Sequence, residues 1–346
     1  MQRDTQLDNY RALTMIYIVC FIHITYWFDG FGEPYRSYML FEMPLIFFIA
    51  GAAQTYAKPK SLPKMIINRV WRVMFPFYFF MPFLAVLYVI MHLYFPHHTY
   101  TLSLWEVVKI LFTEGNEALP YYGYTWFISV YLIVMCLFPL ESQLDRHFSI
   151  KHQLLVNIVL FAIISFTNLP NKVKEIACYN IFFLLGYLYY HKLNARKTII
   201  CMVLPTFITC YGFMSGASIP MQDHKFSTDL WFLSFGVTAL GWISLIVSNI
   251  HIPQNRLLRM WNERGYTIYL ISKFQPLPAV FDNKRLDRAI KPSPAQAGGI
   301  LIYGLRYLHF DEHGNLSHGA KGLCVAASSH RRMMLKLCLK KKSSGI

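Results

Sequence analysis

The stretch ALTMIYIVCFIHITYWF, residues Ala12–Phe28, decides how this chain is read. It is apolar almost throughout and near the length that crosses ~30 Å of hydrocarbon, yet it holds one ionisable side chain, His23. An ionisable group at membrane depth is costly, so it usually faces a cavity and serves a pathway or a reaction. Arg11 stands at the start of the run. A second run, Ser37–Ala57, carries Glu42, and the basic stretch Lys58–Arg72 follows, ending in Arg69, Val70, Trp71 and Arg72.

The same apolar pattern continues. Of 346 residues, 55% are hydrophobic, 17% aromatic and only 15% charged, and the charges gather between the runs. Nine runs approach spanning length: Ala12–Phe28, Ser37–Ala57, Val73–Phe95, Tyr124–Leu140, Gln153–Leu169, Ala177–His191, Thr198–Ser218, Asp229–Ile250 and Tyr266–Phe281. Prolines at Pro76, Pro82 and Pro205 are compatible with a bundle, where neighbouring helices satisfy the freed backbone groups. The expectation is an all-α, polytopic transmembrane helix bundle. No cleavable signal peptide is expected, since the first run lacks a small-residue cleavage site and follows Asp4 and Asp8. The seven cysteines form no C-x-x-C pair and read as small buried hydrophobes.

Basic residues set the expected orientation. With the N-terminus cytoplasmic, the inner stretches up to residue 281 hold 15 Lys/Arg and the outer ones hold 5, namely Arg36, Lys109, Lys172, Lys174 and Lys225. The net charge of +15 is then chiefly a topology signal. Nucleic-acid binding would need a basic soluble face with readable motifs, and there is none. The organisation expected is a membrane domain over 1–281 and a basic tail over 282–346, the tail read as disordered or aberrant.

Several residues suit chemistry. His23 lies twelve residues after Arg11, a rise of ~18 Å on a helix, which puts it past mid-membrane. A neutral imidazole there can take a proton from an alcohol and return it to a leaving group; it can equally be a histidine bonded to backbone or packed on Tyr26. Arg69 and Arg72 share a helix face at a membrane boundary, where paired guanidiniums either grip phosphate or anchor the span. Glu42 lies at a depth matching His23, either orienting the imidazole or facing the outer interface. Trp126 fits an aromatic belt, Asn157 and Asn180 fit helix–helix glue, and Lys273 fits a snorkelling or cavity-lining cation. The His97–His98 pair lacks a third ligand, so no metal site is expected. There is no P-loop, nucleophile elbow or dinucleotide fingerprint.

Taken together, these residues resemble the integral-membrane acyltransferase-3 family of bacterial O-acyltransferases. The likeness runs from Leu7 to about residue 278. It rests on Leu7 to Leu13 leading into the His23 run, on Glu42 to Gly51, and on Arg69 and Arg72 followed by Pro76 and Tyr78. Weaker echoes are Thr125 to Ser129 and Gly265 to Leu270. The resemblance implies transfer of an acyl group, acetyl as the expected one, from acyl-CoA to a hydroxyl of a sugar or surface glycan. No permanently bound cofactor is implied; acyl-CoA is the donor, and a glycan or lipid-linked sugar is the acceptor. It implies His23 as catalytic base with Glu42 beside it, and Arg11, Arg69 and Arg72 as donor-binding residues, in a protein of the bacterial inner membrane. The family has ten residues between the arginine and histidine where this chain has eleven. Eleven helical steps return to nearly the same face and twelve miss it by about 120°, so Arg11 is expected in an unwound entry segment if it shares the site. The family's usual count of about ten spans implies a last helix lost from the tail. The competing reading is an exporter of glycans or lipid-linked sugars, in which His23 and Glu42 line a path without bond chemistry.

Overall fold

The computed structural model describes residues 4–23, 25, 33–57, 61–94, 126–145, 147–190, 194–247 and 250–272. His97, His98, Lys273, Tyr26 and the tail 282–346 lie outside these residues. Among the described residues all regular structure is helical: α1 (Thr5–Tyr17) continuing into a π-helical turn (Ile18–Ile22), α2 (Tyr35–Met39), α3 (Glu42–Gln54), α4 (Leu62–Tyr94), α5 (Trp126–Leu144), α6 (Ile150–Ser165), α7 (Asn171–Tyr189), α8 (Ala195–Ser215), α9 (Met221–Ser227), α10 (Leu230–Val247) and α11 (Arg256–Ile271).

Each of the nine apolar runs overlaps a helix among the described residues. Four stretches are long and apolar enough to cross a membrane by length and composition: Tyr35–Gln54, Trp126–Leu144, Ala195–Ser215 and Leu230–Val247. Four helices, α1, α4, α7 and α11, start six or more residues before their runs, where polar and charged turns precede the apolar part. In α11 the Asn255 side chain accepts from the Leu258 amide at 2.8 Å, so the helix begins ten residues ahead of Tyr266 and includes Arg256, Arg259 and Arg264. In α1 the Asp4 side chain caps the amides of Gln6 and Leu7.

The bundle is apolar on the outside as well as the inside. On α6, Leu155, Val159 and Ile163 are exposed, and on α8 Val203, Phe207 and Met214 are, the last at 88%. A water-facing surface does not carry helix faces of that kind, whereas hydrocarbon does. These faces, with the spanning helices, make this a multi-pass membrane protein. Three of the five described cysteines, Cys20, Cys201 and Cys210, sit on this exterior, and only Cys178 is buried. The expectation of buried cysteines is thereby corrected: in lipid an apolar thiol has no drive toward the interior.

At the centre, α3 and α7 touch backbone to backbone. A Cβ on Gly51 would lie 1.8 Å from the Phe183 carbonyl oxygen, and one on Gly186 would lie 1.9 Å from that of Phe48. This reciprocal pair lets two helices close to a distance that no larger residue allows. Around the seam, the Phe47 ring stacks on Tyr179 with centroids 4.6 Å apart, and Phe182 and Phe232 complete a fully buried aromatic layer. Gly186→Leu is expected to force the helices apart, costing at least about 1–3 kcal/mol and lowering the thermal unfolding midpoint in detergent, while Val203→Leu on the outer face leaves the midpoint unchanged.

Candidate active site

Helices α1, α3, α4, α5 and α11 enclose a cavity of about 880 Å³. Arg11 from α1 and Arg69 and Arg72 from α4 all line it, so the three arginines singled out in the sequence share one site. They also lie together within electrostatic reach of Tyr131 on α5. Arg69 is fixed by two hydrogen bonds, donating to the Met135 carbonyl oxygen and to Gln54 Oε1. Arg11 and Arg72 have no hydrogen-bond or ion-pair partner among the described residues. Three acids, Asp4, Asp8 and Glu263, line the same cavity. Asp4 takes the hydroxyls of Tyr56 and Tyr190 at 2.7 and 2.9 Å, and Glu263 pairs with Arg259 at 3.0 Å. Two guanidiniums are thus left on the cavity wall with no carboxylate bonded to either, an arrangement that suits an anionic ligand with planar, multiple acceptors.

His23 is buried and follows the π-helical turn directly; its amide donates to the Ile18 carbonyl, five residues back. A π turn holds one residue more than an α turn. It therefore takes up the extra residue between Arg11 and His23, and twelve steps keep nearly the phase of eleven. Arg11 sits in regular helix, so the expected unwound entry segment is replaced by a bulge further along. Nδ1 of His23 lies 3.0 Å from Ser272 Oγ, whose hydroxyl donates to the Tyr269 carbonyl oxygen at 2.7 Å. With the serine proton given to that carbonyl, the Ser272 oxygen is left to accept from Nδ1. The Tyr269 ring, which lines the cavity, packs on the imidazole with centroids 5.1 Å apart.

Glu42 is 1% exposed and its Oε1 accepts from Lys225 Nζ of α9; it makes no hydrogen bond to His23. One contact to the imidazole comes from Ser272. Lys225, read in the sequence as an outer-loop cation, is buried, with its ammonium 5.8 Å from the Trp126 ring centroid. Trp126 accordingly packs within the bundle, against Tyr179 and Phe226. Asn180 donates to Glu141 Oε1 at 2.7 Å and joins α7 to α5, which fits its reading as glue. Lys225 and Ser272 escaped sequence reasoning, since each acts through a partner at least 183 residues away. Among the described residues no cluster of His, Cys, Asp and Glu is suited to a metal ion.

A family model described as an acyltransferase domain, Acyl_transf_3, matches residues 4–281. No curated protein and no solved structure matches the chain. The chain belongs to the acyltransferase family that the model defines.

Two outcomes test this geometry. Deleting Cys20, an exposed residue of the π turn, should restore an α turn and keep acyl transfer within a few-fold of native, whereas an alanine inserted after it should lower transfer by about 100-fold. Equal loss in both would count against the bulge as the aligning device. The second outcome concerns pH. Burial pushes the Asp4 carboxyl up, but bonds from Tyr56, the Leu7 amide, Tyr190 and the Gln6 amide outweigh it and hold the group below its ordinary value. A lowered folded value adds stability that is complete above the ordinary carboxylate range and is lost as pH falls through the lowered value. Asp4→Asn should therefore unfold more easily than native at pH 7, with the gap closing as pH drops below about 4.

Proposed function

We propose that this acyltransferase is a membrane O-acyltransferase that moves an acyl group, acetyl as the expected one, from cytoplasmic acyl-CoA to a hydroxyl of a sugar or surface glycan. His23 is the general base. The supporting observation is the convergence of Arg11, Arg69 and Arg72 on one cavity that also reaches Tyr269, the residue packed on His23. An exporter has no need of such a cationic grip at the start of its helices, and its path would have to run between the arginines.

In this reading the N-terminus is cytoplasmic, the nine helical runs each cross the inner membrane, and the arginines face the cytoplasm. Acyl-CoA enters there. Its phosphates meet Arg11 and Arg72, while Arg69, held by Gln54 and Met135, keeps the pair in register. The thioester lies toward His23. The acceptor hydroxyl gives its proton to Nε2 as its oxygen attacks the thioester carbon. The tetrahedral intermediate then collapses, the C–S bond breaks, and the imidazolium returns the proton to the departing thiolate, leaving ester and free thiol. The chain Nδ1–H to Ser272 Oγ to the Tyr269 carbonyl holds the imidazole in the tautomer this requires and steadies it when charged. Glu42 acts at one remove, paired with Lys225 so that α9 is positioned against the start of α3.

Membranes carrying the native chain should transfer label from radiolabelled acetyl-CoA into a crude glycan pool, and His23→Ala should lower the rate by 100-fold or more. Ser272→Ala should lower kcat by about tenfold, the equivalent of one hydrogen bond of about 1.4 kcal/mol, and leave acyl-CoA binding unchanged. Full transfer by His23→Ala would remove it as the base.

A further inference from the structure

Two buried polar atoms on the cavity wall have no protein partner: Asn262 Oδ1 and the Tyr266 hydroxyl. Buried polar atoms are almost always hydrogen-bonded, so two of them left open in one cavity point to a ligand that meets them. They are four residues apart on α11 and share a face, which continues to Tyr269. Helix α11 runs parallel to α1. The Gln6 and Asn9 side chains bond the Ile252 carbonyl oxygen, Gly265 abuts Met15, and Ser272 meets His23. By that alignment Asn262 lies at the height of Arg11, and Tyr269 lies one contact from His23. The wall between the cationic end and the base is therefore an acceptor, a hydroxyl and a ring spread over about 10 Å.

A ligand matching that order has phosphate first, then amide groups on a mostly apolar arm, then the reacting atom. We propose that this face of α11 recognises the pantetheine arm of the acyl donor: Asn262 Oδ1 accepts an amide N–H of the arm, and the Tyr266 hydroxyl donates to an amide carbonyl. The proposal rests on the thioester-donor reading above and adds the wall that reads the arm. The same chemistry is carried by coenzyme A and by phosphopantetheine on a carrier protein.

The test uses the full-length protein in detergent and three probes: coenzyme A, 4′-phosphopantetheine, and adenosine 3′,5′-bisphosphate, which lacks the arm. Asn262→Ala and Tyr266→Phe should each weaken coenzyme A and phosphopantetheine binding by about five- to tenfold and leave adenosine bisphosphate unchanged, which also shows that the variants are folded. Arg72→Ala should weaken all three. Phosphopantetheine binding as tightly as coenzyme A in the native chain marks a carrier-borne donor, and tighter coenzyme A binding marks the free coenzyme; both fit the α11 wall. Unchanged binding of all three probes to Asn262→Ala and Tyr266→Phe overturns the wall alone, as does equal weakening of all three. A native chain that binds neither thiol probe overturns the donor reading itself.

Discussion

The parallel pairing of α1 with α11 is the constraint on which the rest of the site depends. Polar side chains near the start of α1 grip the chain at Ile252, Gly265 lets the helices close on Met15, and the far end is tied by His23 and Ser272. Three ties at three heights fix translation as well as distance. A slip of one helical turn, 5.4 Å, would separate the imidazole from its serine and remove the polar face of α11 from the arginines it stands beside. In an apolar solvent such side-chain bonds contribute only about 0.6–1.7 kcal/mol each. Their weight here lies in register more than in total strength.

Charge near the site gathers toward the two ends of α1. At the end where α1 begins, Asp4 collects Tyr56 from just beyond α3 and Tyr190 from just beyond α7, and the arginines line the neighbouring wall. Toward the other end lie His23 and the Glu42–Lys225 pair, with the buried rings of Phe47, Tyr179, Phe182 and Phe232 in the core beside α3 and α7. A buried ion pair is a weak source of stability, because desolvation offsets most of the attraction, but its geometry is specific. Its effect is to select one docking of the short helix α9 on α3, to which the bond from the Met221 amide to Ser37 Oγ adds at 2.8 Å.

What was legible in the sequence was whatever leaves a local mark. The apolar runs mark themselves by length, and each overlaps a helix among the described residues. His23 stands out because charge is scarce around it, and Arg11, Arg69 and Arg72 because they border apolar runs; the three arginines do share a cavity. What stayed hidden depends on distant partners or on backbone register. The run Ile18–Ile22 is uniformly apolar, so nothing in it marks a π turn, and only the odd spacing to Arg11 hinted that one turn must differ. Lys225 looks like any loop lysine until Glu42 is placed beside it. Asn262 and Tyr266 lie across the boundary between a charged turn and an apolar run, a boundary that the start of α11 ignores because Asn255 caps it earlier.

The Glu42–Lys225 pair has a further consequence, for the making of the protein. The two residues are separated by 183 positions in the chain. At roughly 5–20 residues per second, a ribosome needs on the order of 10–40 s to produce the lysine after the glutamate has emerged. For that interval α3 carries an acid with no cation to meet it, so the first helices can be threaded but not locked. The packing of α3 is a provisional state, completed only when α9 arrives.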